Sequence, residues 1–142
     1  MKTMADMPAT TKPLSKAMCG RWSVSRIIFD RRGMGRMLFE GIATIDEARF
    51  EERGDMHIAG QRSEGSRTYH LQFSDGQVFV QFPDGRDFIR LDERPIQHVH
   101  HLCGSDTYRG RFLFLSPDAW GEAWHVTGPR KDYKSISRYT RL

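Results

Sequence analysis

The sequence predicts an all-β protein, an antiparallel up-and-down β-barrel of about eight to ten strands. Apolar side chains alternate with polar ones along much of the chain, as in YHLQF at 69–73 and QVFVQF at 77–82, and a period of two residues is that of a half-buried strand. Asp-Gly pairs separate such runs, which is a strong hairpin signal. After residue 20, no segment of ten or more residues has the 3.6-residue apolar period of a helix.

Ten strands are predicted between turn-forming segments. The first begins at Gly20 and ends at the turn DRRGMG, and later turns include SDGQ, PDGR and SPDAWG. In chain order, the strands are predicted at 20–29, 36–45, 47–54, 66–73, 77–82, 86–91, 96–103, 107–115, 120–127 and 133–140. So many short strands with tight connections favour a barrel, because closure of the sheet removes its exposed edges.

The first part of the chain differs in composition from the rest. All sixteen aromatic residues lie at or after Trp22, whereas four of the seven methionines lie within the first eighteen residues. We therefore predict a flexible N-terminal arm at 1–17 and a single β-barrel domain at 18–142.

The formal net charge of +4 is concentrated at the two ends of the chain. Residues 1–18 carry a net charge of +2 and residues 128–142 carry +4, while the segment between them has 14 Arg against 16 acidic residues. A nearly neutral body argues against nucleic acid as a partner. Because there is no apolar run of ~18 residues and no apolar leader, we predict a cytoplasmic protein without a membrane partner.

The segment QHVHHLCGSD at 97–106 concentrates imidazole and thiol groups. Strand alternation places His98 and His100 on one face and His101 and Cys103 on the other. A zinc site needs three or four converging ligands, more than one face of this strand offers, so no metal site is predicted. An acid-base or hydrolytic enzyme is the alternative function that this segment suggests, and its residues would be His101, Cys103, Asp106 and Tyr108.

The ends of the predicted barrel resemble those of lipocalins and the wider calycin barrels. The resemblance lies in Gly20 and Trp22 of the first strand, in Asp132 and Tyr133 of the last turn, and in a late Arg138. It implies that Trp22 closes one end of the barrel and that Arg138 packs across its indole. Haem on an axial histidine (His98, His100 or His101) is a further alternative that this resemblance raises, but no cofactor is identified.

The chain is also similar to an uncharacterised family of small, mostly proteobacterial, calycin-like domains. The similarity runs through most of the chain after residue 19, in the residues Gly20, Trp22, Asp30-Arg31-Arg32, Phe39-Glu40-Gly41, His101, Cys103, Asp106, Tyr108, Gly110, Phe112, Gly128 through Tyr133, and Tyr139. It implies the barrel fold and assigns no biochemical function.

Two predicted strand faces combine tryptophans with a charge. Arg26 shares a face with Trp22, and Glu122 shares one with Trp120 and Trp124. If these faces point inward, Arg26 and Glu122 are either a structural ion pair or polar anchors of a ligand cavity. In the last turn, Arg130 and Lys131 could hold an anion, or Asp132 could pair with Arg21 or Arg138 to lock the barrel base.

We predict that the protein binds a small, partly apolar ligand with an anionic or polar end inside the barrel. The polar end would be met by Arg26, His101, Arg111 or Tyr133. The predicted ligand-binding residues are Trp22, Arg26, Tyr69, His101, Tyr108, Arg111, Trp120, Trp124, Arg130, Lys131 and Tyr133. A further alternative is an interaction module with a filled barrel. A homodimer is a separate alternative that the sequence leaves open.

Overall fold

The chain forms a nearly closed antiparallel β-barrel in the computed structural model, which describes residues 14–33 and 35–142. The elements are α1 (Leu14–Met18), β1 (Gly20–Asp30), β2 (Gly35–Ile45), β3 (Arg49–Ile58), β4 (Gln61–Ser74), β5 (Gln77–Gln81), β6 (Asp87–Leu91), β7 (Ile96–Cys103), β8 (Asp106–Ser116), β9 (Ala119–Thr127) and β10 (Asp132–Arg141). All ten strands belong to one sheet in the order β6-β5-β4-β3-β2-β1-β10-β9-β8-β7. The predicted fold class is confirmed. Within the described residues, no helix has the length and apolar character to cross a membrane.

The predicted strands are all present, and the largest difference is at the hairpin of β3 and β4. These strands were predicted to end at residue 54 and to begin at 66, but they continue to Ile58 and start at Gln61. The turn between them places Ala59 and Gly60 at φ values of 50° and 79°, as in a tight type I′ hairpin turn. Residues 55–58 and 61–65, which form this extension, are mostly polar and lie largely outside the core. They therefore lack the apolar–polar alternation from which a strand is predicted.

Helix α1 and Trp22 close the end of the barrel that we call the base. Trp22 is 1% exposed, and its Nε1 donates a hydrogen bond to the carbonyl oxygen of Met18 at 3.0 Å. The guanidinium of Arg141 lies 4.2 Å from the centre of the Trp22 ring and also donates to the carbonyl oxygens of Ala17 and Cys19. The prediction of Arg138 at this position is wrong, because alternation along β10 turns Arg138 to the outer face.

Residues 14–17, which the sequence assigned to the flexible arm, belong to α1. Leu14 and Met18 are buried in the core at the base. Residues 1–13 of the predicted arm lie outside the described residues. The division of the chain into an arm and a barrel domain stays a prediction.

A row of glycines brings β2, β3 and β4 close together. Gly41 is paired with Gly54, and Gly54 is paired with Gly65 on the next strand. A Cβ atom on Gly54 would lie 2.1 Å from the carbonyl oxygen of Glu40. Because this is a steric clash, only glycine, which has no Cβ, fits at this position. The row leaves room for the ring of Phe39, which lies over Gly65 inside the barrel.

Side chains close the seam between the edge strands β6 and β7. At the base, the buried Gln97 accepts a hydrogen bond from the backbone N–H of Asp92 at 2.8 Å and donates to the carbonyl oxygens of Asp92 and Arg94, both at 2.7 Å. At the opposite end, which we call the mouth, the rings of Phe88 and His101 meet edge to face at 5.3 Å. The two edges are therefore joined without a backbone ladder.

Candidate functional site

A charged cluster lies inside the barrel, where four strands each contribute one ionic side chain: Arg26 from β1, Glu52 from β3, Arg67 from β4 and Glu122 from β9. Arg26 Nη1 lies 2.5 Å from Glu52 Oε1, and Arg67 Nε lies 3.1 Å from Glu52 Oε2. Glu122 bonds to Nη2 of Arg67 and lies 3.5 Å from Nη2 of Arg26. Two positive and two negative charges thus compensate each other away from bulk water, as buried charges require.

Tyr139 joins the two halves of this cluster. Its hydroxyl oxygen accepts hydrogen bonds from Nη2 of Arg26 at 2.9 Å and from Nη2 of Arg67 at 2.7 Å, and its proton can be donated to Glu52 Oε2 at 2.8 Å. Burial raises the pKa of Tyr139 well above its ordinary value, so the phenol stays neutral. Its ring stacks on Trp120 at 3.7 Å, which fixes the hydroxyl in place.

Glu52 is the most enclosed acid of the cluster, with 1% of the residue exposed. Burial alone would raise the pKa of its carboxyl, but the charges of Arg67 and Arg26 and the hydrogen bonds from Arg26 and Tyr139 outweigh burial and hold that pKa below its usual value. Glu52 is therefore a carboxylate at neutral pH.

The lowered pKa of Glu52 predicts a specific loss of stability in acid. A depressed folded-state pKa contributes stability that is complete above the unfolded value of about 4.3 and is lost as the pH falls through the folded value. Glu52→Gln cannot titrate at this position. We expect the difference in free energy of unfolding between wild type and Glu52→Gln, measured by urea denaturation, to be constant from pH 7 to about 5 and to shrink below about pH 4. A difference that stays constant down to pH 3 would contradict this prediction.

A pocket of about 180 Å³ opens on the mouth side of the cluster. Arg26 and Arg67 contribute to its polar floor. Its other lining residues are Ile28, Tyr69, Phe88, Tyr108, Trp124, Val126, Tyr133 and Ser135. Phe88 lies between two further rings of the wall and stacks at 5.4 Å on both Tyr69 and Trp124. The pocket therefore combines aromatic walls with guanidinium donors.

A second, much smaller cavity of about 40 Å³ lies towards the base. It shares Arg67, Tyr69, Phe88 and Trp124 with the mouth pocket, and Trp120 also lines it. The indole N–H groups of Trp120 and Trp124 have no hydrogen-bond partner among the described residues. This volume has room for one or two water molecules, so the base half of the barrel is essentially filled by side chains.

An ion pair stands at the rim of the mouth. Lys131 Nζ lies 3.0 Å from Asp106 Oδ2 and donates to the Tyr108 hydroxyl at 3.3 Å. The hydrogen bond with Asp106 is the main cause of a raised Lys131 pKa. A Cβ atom on Gly128 would lie 1.9 Å from Asp106 Oδ1, so this contact depends on glycine at that position. Lys131 is thus already neutralised by Asp106.

Asp132 pairs with His125 on the neighbouring strand. Its Oδ1 lies 3.2 Å from Nε2 of His125. The predicted pairing with Arg21 or Arg138 at the base is wrong, because β10 starts at the mouth and His125 is close to Asp132 on the neighbouring strand.

Five of the residues predicted to bind a ligand line the mouth pocket: Arg26, Tyr69, Tyr108, Trp124 and Tyr133. Trp120 lines the smaller cavity towards the base, and Lys131 lies at the rim of the mouth. Arg130 is exposed in the loop between β9 and β10. His101 is half-buried and packs on Phe82, Phe88 and Tyr108 beside the pocket.

Two predicted site residues are placed elsewhere. Trp22 lines neither cavity, because it fills the base beneath α1. Arg111 is exposed on the outer face of β8, since the buried Gly110 and Phe112 on either side of it point inward. The prediction that Arg111 meets the polar end of a ligand inside the barrel is therefore wrong.

The histidine-rich segment divides as its alternation indicates. His98 and His100 are exposed, whereas His101 and Cys103 are half-buried. In the part of the chain that the structure describes, no hydrogen bond joins His101 to Cys103, and Asp106 pairs with Lys131. No three His, Cys, Asp or Glu side chains among residues 14–33 and 35–142 form a group that could hold a metal ion.

Three members of the charged cluster were not predicted: Glu52, Arg67 and Tyr139. The sequence carries a signal for Glu52 and Arg67, because strand alternation puts Glu52 on the face of Phe50 and Arg67 on the face of Tyr69. A single charge on a strand face that also carries aromatic side chains marks these two positions.

The fold and the site define the molecule as a calycin-like β-barrel with an internal charged cluster beneath an aromatic pocket. The chain belongs to the family of unknown function DUF6314, whose family model matches residues 18–141. No curated protein matches the chain.

Solved structures support the fold. The S-type phycobiliprotein lyase CPES from Guillardia theta is 11% identical with a TM-score of 0.54, and the match covers 99% of this chain and 98% of that one. A protein of unknown function from the DUF3598 family of Nostoc punctiforme PCC 73102 is 9% identical with a TM-score of 0.60. That match covers 92% of this chain and 51% of the other, so the present chain spans about half of that protein. At these identities the likeness concerns the fold alone.

Proposed function

We propose that this protein binds a small ligand in the mouth pocket, with an aromatic or apolar body against the rings and a hydrogen-bond-accepting end at Arg67. The observation that supports the proposal is an N–H donor of Arg67 that is not used by the charged cluster. Nε and Nη2 of Arg67 are bonded within the cluster, whereas Nη1 makes no well-aligned hydrogen bond to a described residue, although the guanidinium also interacts with the Tyr69 hydroxyl. The Arg67 side chain is 27% exposed and lines the pocket.

The size of the pocket limits the ligand. A volume of about 180 Å³ is comparable to engineered cavities of about 150 Å³ that bind benzene. One aromatic ring with a polar substituent therefore fits without rearrangement. Stacking on rings such as Tyr69 or Trp124 adds roughly 0.5–1.5 kcal/mol beyond the burial of apolar area.

The division of the barrel into two halves favours binding over the alternative of an interaction module. Side chains fill the base half, where the cavity is about 40 Å³, but they leave the mouth pocket open above the charged cluster. A ligand in the pocket would meet both aromatic walls and a half-buried donor, the combination that small-molecule sites use for affinity and orientation. A cytoplasmic location and a homodimer remain predictions.

Binding of acetophenone, one ring with one carbonyl acceptor, tests the proposal. We expect a dissociation constant of about 1 mM or tighter in a protein NMR titration, with shifts at Trp124 and Tyr133. Ser135→Leu would fill the pocket from β10, because Ser135 lies in its lining. This variant is expected to weaken binding at least tenfold.

Ser25→Leu is the matched control, since Ser25 is exposed on the outer face of β1. Its affinity for acetophenone is expected to equal that of the wild type. No binding to the wild type, or equal binding to wild type and Ser135→Leu, would contradict the proposed function.

A further inference from the structure

We propose that the polar end of the ligand is uncharged and presents a single acceptor, such as a ketone or a phenol, rather than a carboxylate or phosphate. This inference rests on the proposed function and narrows it to one class of ligand. It follows from the bonding and the charge of the pocket floor.

The hydrogen bonds of Arg67 leave no pair of donors for an anion. A guanidinium captures a carboxylate through two parallel N–H bonds from neighbouring nitrogens. Each such pair in Arg67 includes Nη2, which is bonded to Glu122 and to the Tyr139 hydroxyl. Nε is bonded to Glu52 as well, at 3.1 Å. Of the three Arg67 nitrogens, only Nη1 makes no well-aligned hydrogen bond to a described residue, and it suits a single acceptor atom.

Arg26 is still more fully engaged. Its Nε donates to Ser137 at 2.6 Å, its Nη1 to Glu52 at 2.5 Å, and its Nη2 to Glu52 at 3.0 Å and Tyr139 at 2.9 Å. A carboxylate could bind bidentately to Arg26 only by displacing Glu52 or Ser137. The second guanidinium of the floor therefore offers no alternative anion site.

The charge of the floor also disfavours an anion. Arg26 and Arg67 are balanced by Glu52 and Glu122, and the buried phenol of Tyr139 is neutral. At the rim, Lys131 is balanced by Asp106. A ligand carboxylate would lose its hydration in a site with no net positive charge and would face two fixed carboxylates. A neutral acceptor avoids both costs.

Acetophenone and benzoate distinguish binding of a neutral ligand from binding of an anion, because they have nearly the same shape and differ in charge at pH 7. We expect the wild type to bind acetophenone at least tenfold more tightly than benzoate in NMR titrations. Glu122→Gln keeps the shape of the side chain and gives the floor a net charge of +1. In this variant, the ratio of the association constant for benzoate to that for acetophenone is expected to be at least tenfold higher than in the wild type.

Glu40→Gln is the matched control, because it removes the same charge from an exposed position on β2 and should leave the ratio unchanged. If the wild type bound both probes and bound benzoate as tightly as acetophenone or more tightly, the inference would be overturned while the proposed function stayed intact. A failure of the wild type to bind either probe would instead count against the proposed function. The wild-type comparison needs no variant, so it holds even if Glu122→Gln does not fold. An unchanged ratio in a folded Glu122→Gln would overturn the electrostatic argument.

Discussion

Glu52→Ala is expected to lower the free energy of unfolding by about 3–5 kcal/mol, the usual cost of removing one partner from a buried ion pair. Glu52 bonds to both guanidiniums of the cluster and to Tyr139. Without it, Glu122 alone would remain to balance Arg26 and Arg67 inside the barrel. Urea denaturation at pH 7, followed by tryptophan fluorescence, measures the change.

Glu51→Ala provides the control from the adjacent position of the same strand. Glu51 pairs with Arg49 and Arg53, whose side chains are 53% and 76% exposed, and surface pairs of this kind contribute little to stability. Its effect is expected to be below about 1 kcal/mol. If Glu52→Ala also cost less than about 1 kcal/mol, the cluster would be hydrated in solution, and the assignment of Arg67 as a desolvated ligand donor would lose its basis.

Alternation along a strand accounts for what the sequence predicted well. It placed Trp124 and Tyr69 on inner faces and separated His98 from His101 without any knowledge of the neighbouring strands. The same rule could have placed Arg141 at the base in preference to Arg138, since Tyr139 and Arg141 share a face. The lipocalin spacing that implied Arg138 therefore does not hold at the base of this barrel.

The charged cluster was harder to predict because it depends on which strands meet across the barrel. Arg26 and Glu122 were expected to be either a structural pair or polar anchors of a ligand cavity, and they form a salt bridge with 3.5 Å between Arg26 Nη2 and Glu122 Oε1. Glu52 and Arg67 are direct partners on β3 and β4, but Arg67 also bonds to Glu122 on β9, which is not a neighbour of β4 in the sheet. Contacts across the lumen are set by the stagger and tilt of the strands, which alternation within one strand does not reveal.

The glycine row links the fold to the site. It lets β2 and β3 approach closely at Gly54, which is two residues from Glu52 on β3. Phe39 on β2 lies beside the row, and the Arg26 guanidinium lies over its ring at 5.1 Å from the ring centre. A change of backbone spacing here therefore moves both partners of the Arg26–Glu52 ion pair.

Gly54→Ala is accordingly expected to lower the free energy of unfolding by about 3 kcal/mol, at the upper end of the usual cost of overpacking. The new methyl group would lie 2.1 Å from the carbonyl oxygen of Glu40 and 2.5 Å from the Cα atom of Gly41. Both are backbone atoms, so the clash can be relieved only by separating the two strands.

Gly65→Ala, one strand further along the same row, is the matched control for this prediction. Its methyl group would meet the ring of Phe39 at 3.4 Å, an ordinary contact that a side chain can absorb, and the expected cost is within about 1 kcal/mol. Urea denaturation of both variants measures the contrast. If both variants lowered the free energy of unfolding by the same amount, β2 and β3 could separate at little cost. The close approach of the strands at Gly54 would then not be needed to keep Glu52 in contact with Arg26.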